Sequence, residues 1–202
     1  LTLIPLPMVL GIHEDDRPVE QKFEWAAFSA FKQRTVLALS AMGFVFFMVI
    51  AGVNVLVNPF LEQEFQISLT QAGLYTTVWG IGVVLGGVVG GALMQAIGRK
   101  TGTLIAMGIS FVGVLALAVT MSPTAAWPIV GAFGLAYGTV QTVYFALSMN
   151  FTDSRISASM FSILMAISNV AQGVGMALSG YMSDRIDFRM TFVVFAVLNI
   201  IV

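Results

Sequence analysis

What constrains this chain most is the distribution of its charges, which fall in clusters separated by long intervals that carry none. Residues 35–61, 65–98, 101–152 and 156–183 contain no Asp, Glu, Lys or Arg. A helix rises about 1.5 Å per residue and the hydrocarbon core of a bilayer is about 30 Å thick, so each interval is long enough to cross a membrane as helix. The third would reach about 78 Å as a single helix and therefore holds two. A soluble domain is about 25% charged, because its exterior must be covered with ionised side chains. This chain is 9% charged and 58% hydrophobic, and lipid is the medium that fits.

The break in the third interval falls at Met121-Ser122-Pro123-Thr124-Ala125-Ala126-Trp127-Pro128, where two prolines and a Trp suited to the membrane interface separate two arms of spanning length. Spans are expected over 35–58, 69–95, 102–121, 128–149, 158–182 and 190–202, the last too short to cross and read as truncated. The fold class expected is an all-α membrane protein. Ser68-Leu69-Thr70-Gln71 fits a capping box at the start of the second span, which makes 58–67 a turn around Pro59. Residues 1–34 read as the end of a preceding helix followed by a central loop. The opening apolar run contains Pro5 and Pro7, lacks a basic flank and does not read as a signal peptide.

Arg17, Lys22, Lys32, Arg34, Arg99, Lys100 and Arg155 fall on one side of this topology, and Arg185 and Arg189 on the other. The excess of cations marks the first side, which includes the N-terminal end, as cytoplasmic. Within 18–34, Phe23, Ala27 and Phe31 stand at helical spacing, so the stretch is either a helix on the membrane surface or a solvated linker.

Several function classes drop out. A net charge of −1 gives no footprint for nucleic acid, and the absence of Cys removes disulfides, thiolate metal sites and cysteine nucleophiles. The one His, His13, sits beside Glu14, Asp15 and Asp16, a grouping read as a charged loop rather than a metal centre. Neither an enzyme nor a cofactor is expected.

A polar side chain inside a span needs protein, water or a ligand to face, so its periodicity marks the side away from lipid. On the fourth span Tyr137, Gln141, Tyr144 and Ser148 form one stripe, and on the fifth Ser159, Ser162, Asn169 and Gln172 form another. The first span carries Ser40, Phe44, Phe47, Ala51, Asn54 and Asn58 along one face, and the second carries Gln71, Tyr75 and Trp79. The third offers Ser110 and the sixth Thr191 and Asn199, so these two are expected to face lipid almost all round. Four helices would thus line a cavity, with Asn54, Asn58, Tyr75, Tyr137, Gln141, Tyr144, Asn169 and Gln172 as candidate pathway residues. Helix-to-helix hydrogen bonding is the competing explanation for each of them. Gly82, Gly86 and Gly90, with Gly131, Gly134 and Gly138, point to close helix packing.

The loop after the second span reads Gly91-Ala92-Leu93-Met94-Gln95-Ala96-Ile97-Gly98-Arg99-Lys100. It resembles the cytoplasmic signature of the major facilitator superfamily, G-x-x-x-D-x-x-G-R-K, with Gln95 in place of the acid. The resemblance extends over 35–202 and identifies the six spans with the C-terminal half of a twelve-helix transporter. It implies a gating loop of Gly91, Gln95, Gly98, Arg99, Lys100 and Arg155, without the usual charged lock because Gln95 is neutral. It also implies that helices seven, eight, ten and eleven line the pathway, the four picked out by polarity. Residues 90–95 and the run from Phe145 to Gly180 resemble muropeptide permeases, and Asn58-Pro59-Phe60 resembles the PucC-type assembly proteins.

The function expected is secondary transport of a small solute by alternating access, in the bacterial cytoplasmic membrane. The partners expected are the lipid bilayer, the N-terminal half and the substrate. The rival is a membrane scaffold or assembly factor that keeps the fold without moving a solute. No ionisable residue lies inside a span, so a proton-carrying carboxylate would have to come from the other half.

Overall fold

A computed structural model describes residues 25, 27–150 and 157–200. A single helical turn, Ala27–Ala30, precedes six helices: α1 Arg34–Phe65, α2 Leu69–Ala96, α3 Arg99–Ala118, α4 Pro123–Asn150, α5 Ser157–Ile186 and α6 Phe188–Ile200. The first five are long and apolar enough to cross a membrane, and α6 is a shorter apolar helix. Residues 18–24 and 26 of the expected surface segment at 18–34 lie outside the described residues, as do the rest of 1–24 and Arg155.

The capping box at the start of α2 is present: Ser68 Oγ accepts from the Gln71 backbone N–H, and the Gln71 side chain accepts from the Ser68 N–H. Other helix ends differ from the sequence expectation, and in each case the reason is local. Residues 58–67 are not a turn, because α1 runs through Pro59 and ends at Gln66, which takes the left-handed conformation at φ 54°. Pro59 removes only the hydrogen bond to the Val55 carbonyl, a loss that packing tolerates in a buried helix. The fourth helix starts at Pro123 rather than 128. Ser122 caps it, its Oγ accepting from the Ala125 N–H at 3.2 Å, and Pro123 occupies the first turn, where a missing N–H costs nothing.

The joint between α5 and α6 is one residue. Asp187, at φ 73°, ends α5, and its carboxylate accepts from the Met190 N–H at 2.9 Å to cap α6, which therefore begins before residue 190. At Gly98 the chain turns from α2 into α3 with φ 78°, a conformation that favours glycine.

Two helix pairs make the most extensive contacts, α2 with α4 and α1 with α5. The first is a glycine interface. A Cβ at Gly82, Gly86 or Gly90 would run into the α4 backbone at Gly131, Leu135 or Thr139, and one at Gly134 or Gly138 into the α2 carbonyls of Trp79 or Val83. Backbones this close leave no room for side chains, which is the packing that small-residue tracks provide in membranes. The Thr139 hydroxyl is shared across the pair, 3.1 Å from the Gly86 carbonyl and 2.8 Å from that of Leu135. Gly175 on α5 meets the Met48 backbone of α1 in the same way.

The expectation that the third and sixth spans face lipid almost all round needs correcting. Helices α3 and α6 pack on each other, and their polar residues meet: Asn199 Nδ2 donates to Ser110 Oγ at 2.7 Å, both side chains being buried. Each thus has a polar partner away from hydrocarbon, although Asn199 Oδ1 is buried without a hydrogen-bond partner among the described residues.

Candidate functional site

Between the two pairs the packing is looser, and two adjoining cavities open there. One, of about 100 Å³, is lined by Asn54, Val57, Asn58, Thr76, Trp79 and Val130. The other, of about 200 Å³, is lined by Ile50, Ala51, Asn54, Val55, Tyr137, Gln172 and Met176. Asn54 borders both, so they form a cleft to which α1, α2, α4 and α5 all contribute. These are the four helices that carry the polar stripes.

Each polar group in the cleft has a defined setting. Asn58 Nδ2 donates to Thr76 Oγ1 at 3.1 Å, and Thr76 in turn donates to the Ala72 carbonyl at 3.3 Å. Gln172 Nε2 donates to Asn169 Oδ1 one turn back on α5, at 3.3 Å. The Trp79 and Tyr137 rings meet edge to face with centroids 5.4 Å apart. The Trp79 indole nitrogen is buried and has no hydrogen-bond partner among the described residues.

Of the eight candidate pathway residues, the structure brings Asn54, Asn58, Tyr137 and Gln172 to the cleft wall, with Asn169 bonded to Gln172. Gln141 is half-buried one turn from Tyr137 and lines neither cavity. Tyr75 and Tyr144 are turned to helix packing instead. Tyr75 is 2% exposed, stacks on Trp127 with centroids 4.0 Å apart, and donates its hydroxyl to the Pro123 carbonyl at 2.7 Å. Tyr144 is fully buried against Gly43, edge-on to Phe47, with Ser148 and Ser168 near its hydroxyl. Thr76 and Trp79 complete the cleft without having been among the candidates. Trp79 does stand on the second span's polar stripe, whereas Thr76 gives little signal because a helical threonine commonly satisfies its hydroxyl on its own backbone.

The signature loop forms the turn between α2 and α3. Gln95, Gly98, Arg99 and Lys100 are exposed there, and Arg99 donates to Asn150 Oδ1 at the end of α4, 2.9 Å away. Arg99 is thus met by a neutral amide rather than by an acid. Among the described residues no group of three His, Asp or Glu could hold a metal ion.

The family model described as the Major Facilitator Superfamily matches residues 39–202. The chain belongs to that superfamily. As a major facilitator chain it is 27% identical over 150 residues to a probable actinorhodin transporter of Streptomyces coelicolor, a match that covers 69% of this chain and 25% of that protein. Its fold is similar to the crystal structure of a bacterial homologue of the human lysosomal transporter Spinster, in an inward-facing, unoccupied conformation. There the TM-score is 0.66 at 17% identity, over 94% of this chain and 50% of the other. The chain therefore spans half or less of the relatives it matches. It is an integral membrane protein of a transporter superfamily, and its six helices are a major facilitator bundle.

Proposed function

We propose that this chain is one six-helix half of a secondary transporter that moves a small solute by alternating access, with its basic end in the cytoplasm of a bacterial cell. The observation that carries the reading is the cleft around Asn54. Helices that are otherwise apolar bring amides, a phenol and an indole ring to one seam, near the middle of α4 and α5. Polar groups at that depth are costly unless they meet protein, water or a solute. In transporters built from repeated bundles, the solute site lies near the midplane at the bundle interface. The superfamily match supports transport as the class of activity, and the half-length coverage of the Spinster homologue supports a second bundle as the partner. The loop from Gly91 to Lys100, with Arg155, serves as the cytoplasmic gate, with the Arg99–Asn150 hydrogen bond in place of a charged lock.

The absence of Cys from this half makes a direct test simple. Asn54→Cys and Gln172→Cys, each introduced singly into a cysteine-free full-length protein in sealed vesicles, should react with a membrane-impermeant maleimide from either face. The proportion should shift when a solute gradient is imposed. Asn54→Ala and Gln172→Ala should lower uptake without lowering abundance. Labelling of both positions from one face only under every condition, together with unchanged uptake in the alanine variants, would remove the reading.

A further inference from the structure

The larger cavity of the cleft narrows the chemistry of what it holds. Asn54 of α1, Tyr137 of α4 and Gln172 of α5 all border it, Asn54 exposed and the other two half-buried. Among the described residues, the Asn54 amide and the Tyr137 hydroxyl make no hydrogen bond. Gln172 gives Nε2 to Asn169 Oδ1, which leaves Oε1 as an acceptor that is still accessible. An amide and a phenol each donate and accept, so what these side chains lack together is a group that does both. A hydroxyl does so through one atom. A carbonyl or an ether only accepts, and would leave Gln172 Oε1 unmet.

The remaining walls set its size and its body. Ile50, Ala51, Val55 and Met176 complete the lining. A ring with hydroxyls all round would press some of them onto these apolar groups and leave them unpaired, whereas an apolar ring face suits aliphatic carbon and a thioether. The cavity holds about 200 Å³, and one of about 150 Å³ accommodates benzene, so a single six-membered ring with small substituents fills it. Among the described residues no Asp, Glu, Lys, Arg or His lines it. A charged group seated here would lose its hydration with no counter-ion from this half.

Resting on the transporter reading, we infer that the part of the solute seated on this half is an uncharged six-membered ring, apolar over its faces, with hydroxyls along the edge that meets Asn54, Tyr137 and Gln172. Water, or polar side chains of the other bundle, would satisfy the same atoms, and the test separates these from a solute.

The test uses three neutral probes on purified full-length protein in detergent, with affinity read by titration in saturation-transfer difference NMR. Resorcinol carries two ring hydroxyls, 3-methoxyphenol one and 1,3-dimethoxybenzene none. Partition into detergent favours them in the reverse order, so affinity that falls from resorcinol to 1,3-dimethoxybenzene reports the site. Tyr137→Phe keeps the ring, Gln172→Met keeps the chain length, and each removes a hydrogen-bonding group. Each should weaken resorcinol by about fivefold, the effect of one neutral hydrogen bond, and leave 1,3-dimethoxybenzene unchanged. That unchanged binding shows in the same samples that the variants are folded. Affinities in the partition order, an equal loss of all three probes in the variants, or no binding of any to the parent protein would overturn the inference. So would resorcinol binding that neither substitution alters, the result expected if water or the other bundle occupies these atoms. Tighter binding of 3-hydroxybenzoate or of methyl β-glucoside than of resorcinol would overturn it too, since the seated group would then be charged or hydroxylated all round. Alternating reactivity of Cys at positions 54 and 172 is read separately, so a failure of this inference would leave the transport reading standing.

Discussion

A methyl group added at Gly134 would collide with the Trp79 carbonyl, whereas one added at Gly102 would rest 3.4 Å from the Leu93 carbonyl, an ordinary contact. The two glycines are indistinguishable by composition, and both stand in helix interfaces. What separates them is whether the opposing atom is rigid backbone already at contact distance. Gly134→Ala should cost about 3 kcal/mol, because neither α2 nor α4 can retreat without parting the rest of the glycine track. Gly102→Ala should change stability by less than about 1 kcal/mol, since extra helix propensity offsets any tightening. Thermal unfolding of the purified protein in detergent, followed by circular dichroism, checks both. A similar ambiguity limits reading the cleft from sequence. Tyr137 and Tyr144 lie on one stripe, yet the first lines a cavity and the second fills the gap that Gly43 leaves on α1. Periodicity fixes the face of a residue on its own helix. Only the partner helix decides whether that face meets space or a neighbour.

Helix existence was legible because charge-free length is a physical requirement of the bilayer, and each of the six expected helices is present. Helix ends were legible only where side chains announce them, as at Ser68 and Gln71. Prolines misled at Pro59 and Pro128, where a soluble protein would have to satisfy the freed carbonyl with water and break. Here both lie inside helices held by tertiary packing. The far end of α3 shows another device that sequence does not announce. Arg189, at the start of α6, donates to the Ala118 and Thr120 carbonyls at 2.9 and 2.7 Å, lies over the Phe60 ring, and approaches Glu64 at 3.4 Å. It therefore caps α3 from a distance and ties it to α1 and α6, placing positive charge at a helix C-terminus. The Glu64 contact is solvent-exposed and contributes little. Arg189→Ala should destabilise the bundle by about 1–2 kcal/mol and Glu64→Gln by less than about 0.5 kcal/mol. Equal losses from the two, measured by thermal unfolding, would show that the ion pair and not the cap matters.

At the scale of the whole molecule, exchanging α1–α3 for α4–α6 carries the α2–α4 contact onto α5–α1 and the α3–α4 contact onto α6–α1, and all four are present. The two halves of the chain start in opposite directions, so the bundle is organised as an inverted pair of three-helix units with the polar cleft at their seam. The charges break that symmetry. Among the described residues, Lys32, Arg34, Arg99 and Lys100 stand at one end with no acid beside them, while Glu62, Glu64, Asp184 and Asp187 share the other end with Arg185 and Arg189. The excess of Lys and Arg at the first end is what supports the proposed placement of that end in the cytoplasm. In whole cells, a cysteine replacing Gln95, exposed in the signature loop, should be protected from an impermeant maleimide and react only after permeabilisation. One replacing Ser122, in the α3–α4 turn, should react without it. The reverse pattern would invert the molecule in the membrane and would place the signature loop on the outside, where it could not serve as a cytoplasmic gate.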